Sequence, residues 1–194
     1  MKIKHIFLFF LLTLIGACSD NSKKDYDLII RNGLIYDGSG NAPISSDIGI
    51  NDSFIALIGD LSNSTAKKEV NAEGMAVAPG FINVLSWATQ PLIIDGRAMS
   101  DIKQGVTLEI MGEGRSMGPL NESMKLREKN RQSNIKYDIE WTTLGEYLDF
   151  IVKQGVSVNV ASYVGATTIR VHELGYEDRA PTSDELERMK QLVR

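Results

Sequence analysis

The side chains that could do metal or acid–base chemistry are few in this chain of 194 residues. The sequence contains two histidines, His5 and His172, and one cysteine, Cys18. A zinc site needs three or four nitrogen, sulfur or oxygen ligands held close together. His5 lies in an apolar leader, so His172 is the one candidate imidazole in the remainder of the chain. The sequence therefore does not contain a histidine-rich metal site.

Two candidates for binding a substrate, Arg170 and His172, follow a predicted strand and are expected in a strand-end loop. A guanidinium group can bind a carboxylate through two parallel hydrogen bonds, so Arg170 could hold an acidic substrate. The structural alternative is that Arg170 ties down Glu177 or Asp178 in the same loop. His172 could contact substrate, or it could be exposed or hydrogen-bonded locally.

The elements that must position these side chains change in character near residue 75. Residues 26–74 have the pattern of short strands and tight turns, with a hairpin turn predicted at Asn32-Gly33 and another across residues 51–53. This part is predicted to be a small antiparallel β-sandwich domain. Residues 75–194 alternate strand and helix, which is typical of the α/β class with a parallel sheet.

The predicted elements of residues 75–194 follow from apolar periodicity and from Gly, Pro and capping signals. A helix is expected to begin at Thr182, because Glu185 three residues later completes a capping box. The segment 112–140 is predicted to be a long loop over the strand ends. Strands are predicted at 76–86 (buried), 106–111 and 156–163, and helical segments at 91–104 and 142–154.

The first 17 residues have the layout of a secretory signal peptide, with lysines, an apolar run and small residues before Cys18. The apolar run is too short for a membrane-spanning helix, which needs about 20 residues. Cys18 is predicted to carry a lipid, which would make the protein an exported bacterial lipoprotein anchored in the cell envelope. The alternative is a chance cysteine near an ordinary cleavage site. Residues 18–25 are then a polar tether.

The charge of the chain argues against nucleic acid as a partner. The formal net charge is -4 and the pI is about 5.3, and no basic stripe is present. The expected contact with a membrane is through the lipid anchor.

Four ordered motifs resemble one enzyme family. They lie at residues 27–38, 78–82, 104–119 and 158–165, and together they resemble the N-acyl-D-amino-acid deacylase (D-aminoacylase) branch of the amidohydrolase superfamily. The resemblance implies a (β/α)8 TIM-type barrel with a composite β-sandwich, and hydrolysis of a small N-acyl amino acid or related amide by water activated on a divalent metal, normally zinc. Such a barrel needs about 250 residues. Residues 75–194 are therefore expected to be its first three β/α units, an incomplete barrel, with the catalytic aspartate beyond Arg194.

The chain departs from this family where the metal ligands are expected. The family has Asp-x-His-x-His where this sequence has Asn83, Leu85 and Trp87, so the first metal position is expected to be empty. Glu113 stands where the family has a metal-ligating cysteine, and the resemblance implies that it could hold one metal with two histidines further on. The alternative is that Glu113 pairs with Arg115 or caps a turn.

Three functions follow from this comparison of motifs. The first is a metal-dependent amidohydrolase present as a fragment, which alone is expected to be inactive. The second is a non-catalytic pseudoenzyme or binding lipoprotein that has lost the first pair of metal ligands. The third is a separately expressed piece that binds a partner through an open sheet edge, although exposed edges promote aggregation.

Overall fold

The structure, a computed structural model, describes residues 25–194. These residues form two compact units that divide between Pro79 and Gly80, five residues beyond the predicted domain boundary. The predicted signal peptide (1–17), Cys18 and the tether up to residue 24 lie outside the described residues. Within the described range, no helix is both long enough and apolar enough to cross a membrane.

The first unit is built on a five-stranded sheet in which β1 pairs with three neighbours. β1 runs antiparallel to β2 and parallel to β4 and β5, and β3 extends the sheet beyond β2. The sheet is therefore mixed, and the prediction of a small antiparallel sheet was wrong for the pairs of β1 with β4 and β5. The strands are β1 Asp25–Ile35, β2 Ile44–Asn51, β3 Phe54–Gly59, β4 Thr65–Asn71 and β5 Ala76–Val77.

The hairpin predicted at Asn32-Gly33 does not form, because β1 continues through both residues. Asn32 adopts a left-handed backbone conformation with φ of 59°, and the β1–β2 register shifts at this point. Its backbone N–H donates to Asp47 Oδ1 at 2.8 Å. An Asn in this conformation can form either a tight turn or a β-bulge. The pairing with Asp47 holds the bulge.

The hairpin predicted across residues 51–53 is confirmed between β2 and β3. Asp52 has a φ of 53°, and its backbone N–H donates to Asp27 Oδ2 at 2.8 Å. The core of this unit contains Tyr26, Ile29 and Leu61, which are all buried.

The second unit contains a three-stranded parallel sheet in the order β6-β7-β8. The strand predicted at 106–111 is confirmed, and β8 is shorter than predicted. The strand predicted at 76–86 is wrong in two respects. Its first residues pair with β1 in the other unit's sheet, and Phe81 and Ile82 are exposed. Pro79 separates the two pieces and has no N–H for a sheet hydrogen bond. The strands are β6 Phe81–Asn83, β7 Val106–Met111 and β8 Asn159–Ser162.

This unit also contains six helices among the described residues. The sequence located two of them correctly, one from the apolar spacing within 142–154 and one from the capping box predicted at Thr182. Thr143 and Glu146 form a complete capping box for α4, and Thr182 and Glu185 form one for α6. The helices are α1 Pro91–Ile94, α2 Met99–Ile102, α3 Glu122–Arg131, α4 Leu144–Gln154, α5 Ala166–Leu174 and α6 Ser183–Leu192.

Two helices lie where loops were predicted. α3 has no buried residue, so its sequence lacks the apolar periodicity from which a helix is predicted. Its start is nonetheless marked by Asn121, whose side chain accepts a hydrogen bond from Met124 N. α5 occupies the segment that was predicted to be the strand-end loop with Arg170 and His172.

The core of the second unit packs β7 against α4 and the segment before it. Met111, Trp141, Tyr147 and Ile151 are among its fully buried side chains. The indole N–H of Trp141 donates to the Met117 carbonyl at 2.6 Å. This core fixes the position of the loop that follows β7.

Candidate functional site

A pocket of about 600 Å³ lies at the carboxyl ends of β6 and β7 in the second unit. In parallel α/β sheets, ligands bind beyond the carboxyl ends of the strands. The lining comes from several separate segments of the chain, and its members include Leu85, Ser86, Trp87, Glu113, Arg115, Met117, Leu120, Met124, Arg127, Glu128, Arg131, Thr168, Val171 and Tyr176.

The segment after β6 gives the pocket an apolar side. Leu85 and Trp87, two residues apart, both line the pocket, and Trp87 is 81% exposed. Neither side chain has a lone pair that can bind a metal ion. The two tryptophans thus differ in position: Trp87 lines the pocket, whereas Trp141 is buried in the core.

Ser86, between these two residues, anchors the segment to β7. Its side chain is buried and its hydroxyl donates to Glu109 Oε2, while Ser86 Oγ accepts from the Ala88 backbone N–H at 3.1 Å. The Ser86 backbone N–H donates to the Ile110 carbonyl at 2.9 Å. The position of Trp87 thus depends on this buried pair.

The loop after β7 is held against the start of α5. The backbone N–H of Ser116 donates to Thr168 Oγ1 at 2.8 Å, and Ser116 Oγ accepts from the Gly165 N–H at 2.9 Å. Gly112 begins the loop with φ of 84°, and a Cβ there would lie 2.2 Å from the Tyr163 carbonyl oxygen. Only glycine fits this close approach. Ser116 and Thr168 are buried and serve to hold the loop.

Glu113 and Arg115 are exposed on this loop and line the pocket. The ion pairs of the described residues do not include a Glu113–Arg115 pair. The pairing alternative considered for Glu113 is therefore absent from the structure. Its role as a metal ligand stays a prediction.

Arg170 lies outside the pocket and binds backbone. Its Nη2 donates to the carbonyls of Glu177 and Arg179 at 2.8 and 2.7 Å. This agrees with the structural alternative, with carbonyl groups as the acceptors. Arg170 is not among the lining residues of the pocket, and its contact with substrate stays a prediction.

His172 lies on α5 and not in a loop, and it is also outside the pocket lining. Its Nδ1 is 3.1 Å from Glu173 Oε1, and Arg188 Nε donates to Glu173 Oε2 at 2.6 Å. Arg188 and then His172 hold the pKa of Glu173 below its usual value. His172 therefore has a local structural partner, and its contact with substrate stays a prediction.

The side of the pocket formed by α3 was missed from the sequence. Arg127 and Arg131 are one helical turn apart, and Glu128 between them accepts hydrogen bonds from Gln90 Nε2 and the Tyr137 hydroxyl. Burial and then the charge of Glu128 raise the pKa of Tyr137 to about 12. The i, i+4 arginine spacing was the available signal, but it needs a helix that the apolar pattern does not indicate.

The described residues do not fit a metal ion by themselves. Within residues 25–194, no group of three His, Cys, Asp or Glu side chains is close enough to hold one. Glu113 contributes one carboxylate to the pocket, whose lining also includes the apolar Leu85 and Trp87.

Mixed α/β architecture with a pocket beyond parallel strand ends defines the class of this chain. Within that class it is homologous to D-aminoacylase and the N-acyl-D-amino-acid deacylases, whose N-terminal portion it matches, so the resemblance of the motifs is confirmed. No family model matches the chain.

Two curated relatives come from Alcaligenes xylosoxydans xylosoxydans. D-aminoacylase is 30% identical over 179 residues, covering 90% of this chain and 36% of its own length. N-acyl-D-aspartate deacylase is 26% identical over 182 residues, covering 90% of this chain and 35% of its own length. The chain thus spans about a third of the length of these relatives.

Solved structures agree with this alignment. The crystal structure of D-aminoacylase has a TM-score of 0.75 at 27% identity, covering 87% of this chain and 35% of that protein. The N-acyl-D-glutamate deacylase of Bordetella bronchiseptica, solved with zinc and a phosphonate inhibitor, has a TM-score of 0.74 at 26% identity, with the same coverage. Another D-aminoacylase structure has a TM-score of 0.75 at 28% identity. It concerns the functional role of the binuclear metal centre of that enzyme, in which one metal activates and a second metal attenuates.

Proposed function

We propose that this chain supplies the first strands of an incomplete (β/α)8 barrel and one side of the substrate pocket to an amidohydrolase. The reaction is hydrolysis of the C–N amide bond of an N-acyl amino acid or a related small amide. The observation that carries this proposal is the pocket at the carboxyl ends of β6 and β7 in a chain homologous to N-acyl-D-amino-acid deacylases. Barrel hydrolases of this type place their active sites at those strand ends.

The metal requirement is the main difference from the relatives. Leu85 and Trp87 cannot bind zinc, and Glu113 alone is too few ligands, so the described residues provide no hydrolytic step through a metal. The one-metal activation described for D-aminoacylase is consistent with a single divalent metal. In our proposal this metal is zinc, and Glu113 is one of its ligands. Its remaining ligands would come from outside the described residues.

The test compares the native protein with the chain of 194 residues. The native protein is isolated from its own cells with an antibody against residues 26–74, and its mass is determined. Each sample is then incubated with zinc and N-acetyl-D-amino acids, and released free amino acid is measured. We expect release by a native protein much heavier than 21.4 kDa, loss of this activity with a chelator, and no release by the chain alone. A native protein without turnover would overturn the enzymatic proposal.

The second candidate is a non-catalytic binding protein. The observation in its favour is that Leu85 and Trp87 line the pocket with apolar side chains in place of metal ligands. Such a protein would retain a radiolabelled N-acyl amino acid in equilibrium dialysis and release it unchanged. Recovery of free amino acid from the retained label would decide against this candidate.

The proposed location is the bacterial cell envelope, with a lipid on Cys18 as the anchor. The sequence before Cys18 supports this proposal. In cells fed a labelled fatty acid, the protein should become labelled, and Cys18→Ser should abolish the label and release the protein from membranes. An unlabelled wild-type protein would show that Cys18 is not an anchor.

A further inference from the structure

The side of the pocket formed by α3 and the β7 loop carries three guanidinium groups, those of Arg115, Arg127 and Arg131. Two carboxylates, Glu113 and Glu128, line the same pocket, so the arginines are in excess by one charge. Glu128 accepts from Gln90 and Tyr137 rather than from an arginine. The charged side chains that line the pocket therefore carry a net positive charge.

None of the three arginines forms an ion pair with a carboxylate of residues 25–194. The ion pairs formed within residues 25–194 use other cations, and Glu122 at the start of α3 pairs with Lys125 at 3.1 Å. An unpaired guanidinium that lines a concave site is suited to a planar anion, since it can donate two parallel hydrogen bonds to a carboxylate.

Arg127 is already oriented for this task. Its guanidinium carbon lies 3.9 Å from the centroid of the Tyr176 ring, the geometry of a cation–π contact. A guanidinium group in contact with an aromatic ring can still donate hydrogen bonds from N–H groups that do not face the ring. The contact also restricts the side chain before a ligand arrives, which lowers the entropy cost of binding.

The remaining lining defines the rest of the ligand. Leu85, Met117, Leu120 and Met124 present apolar surface to the same cavity. A ligand that fits both features has one carboxylate and an apolar body. We propose that Arg127 and Arg131 form a carboxylate subsite that holds the acid group of an acyl amino acid while its apolar part lies along this surface. This inference rests on the proposed function for the acyl group, whereas the carboxylate contact is independent of any metal or turnover.

The experiment measures binding in the presence of a chelator, so that turnover plays no part. The full chain is titrated calorimetrically with N-acetyl-D-leucine, with its uncharged amide, and with hexanoate. The acid should bind at least about tenfold more tightly than the amide, because hydrogen bonds between a guanidinium group and a carboxylate are stronger than those to a neutral amide. Arg127→Met should remove this preference, and Arg131→Met should weaken it.

Control variants separate the subsite from general damage. Arg97→Met removes an arginine outside the pocket that pairs with Asp95, and it should keep the preference. Arg127→Lys keeps the charge but loses the two-pronged geometry, so an intermediate loss of several-fold is expected. Glu113→Gln removes an exposed negative charge from the lining and should strengthen binding of the acid.

The outcomes distinguish this subsite from the proposed function. Equal binding of acid and amide, unchanged in Arg127→Met, would overturn the subsite and leave an acyl amino acid as the substrate. Binding of hexanoate but not of N-acetyl-D-leucine, with loss in Arg127→Met, would support the subsite and contradict the substrate. Failure of both acids to bind would overturn the subsite.

Discussion

The hydroxyl of Ser86 donates a hydrogen bond to Oε2 of Glu109, and both side chains are buried in the second unit. Glu109 is 0% exposed, and its other oxygen, Oε1, has no hydrogen-bond partner among the described residues. A buried polar atom without a partner destabilises the fold, so Ser86 is the contact that makes Glu109 tolerable in this position.

Replacement of Ser86 should therefore cost stability. Ser86→Ala removes the hydrogen bond to Oε2 of Glu109, so that neither carboxylate oxygen has a partner among the described residues, and it removes the acceptor of the Ala88 N–H. We therefore expect a loss of about 1–3 kcal/mol in the free energy of unfolding. Urea denaturation measures this loss. Ser100→Ala is the matched control, because Ser100 is an exposed serine that donates to Asp101 Oδ2. The control should change stability by less than about 0.5 kcal/mol. Equal effects of the two changes would contradict the importance of the buried pair.

Restoring two imidazoles after β6 should create a metal site. Leu85 and Trp87 line the same pocket as Glu113, so Leu85→His with Trp87→His would bring two nitrogen ligands into the pocket that holds this carboxylate. We expect the double variant to bind zinc at least about tenfold more tightly than wild type in a calorimetric titration, and cobalt to give a visible absorption band.

The ligand set of this variant can be checked one residue at a time. Adding Glu113→Ala to the double variant should weaken zinc binding again, because one of three ligands is removed. Glu122→Ala, an exposed glutamate on α3, is the control and should leave binding unchanged. Unchanged affinity after Glu113→Ala would show that Glu113 is not positioned as a ligand.

The sequence predicted those parts of the fold that local signals control. The apolar spacing of residues 144–151 located α4, and the capping box at Thr182 located α6, since the residues that form each signal lie close to one another in the chain. Asn32-Gly33 was misinterpreted, because the same residues allow a turn or a bulge and distant pairing with Asp47 decides between them. Site residues on α3 were missed, since that helix has no fully buried residue and its arginines line a cavity formed by distant segments.

The two capping threonines should differ in their effect on global stability. Thr143 Oγ1 accepts from the Glu146 N–H at 3.1 Å at the start of α4, which buries Tyr147 and Ile151. Thr143→Ala is expected to lower the free energy of unfolding by about 0.5–2 kcal/mol. Thr182 caps α6, which has no buried residue, so Thr182→Ala should mainly fray that helix.

Hydrogen exchange separates the two effects of capping. Thr182→Ala should speed exchange in the first turn of α6 while the slowest amides of β7 keep their protection. Thr143→Ala should speed exchange in both α4 and β7. The same small global loss for both variants would show that burial of α4 does not couple its cap to the core.

Tyr147 should make the protein sensitive to alkaline pH. Its hydroxyl donates to the Thr89 carbonyl at 2.7 Å, and burial, followed by the charges of Tyr137 and Glu109, raises the pKa of Tyr147. In the unfolded chain a tyrosine titrates near pH 10. Above that pH the unfolded state releases the proton while the folded state keeps it, so stability is complete below about pH 10 and falls as pH rises toward the folded pKa.

Tyr147→Phe is expected to separate these two contributions. At neutral pH the variant should lose about 0.5–1.5 kcal/mol, since the Thr89 carbonyl loses its donor. From about pH 10 upward its free energy of unfolding, measured with urea, should fall less steeply than that of wild type, because phenylalanine has no proton to release. Tyr163→Phe changes an exposed tyrosine and should keep the wild-type slope. If Tyr147→Phe lost stability as steeply as wild type, the alkaline transition would belong to other groups, of which Tyr137, with a pKa of about 12, would be the next to replace.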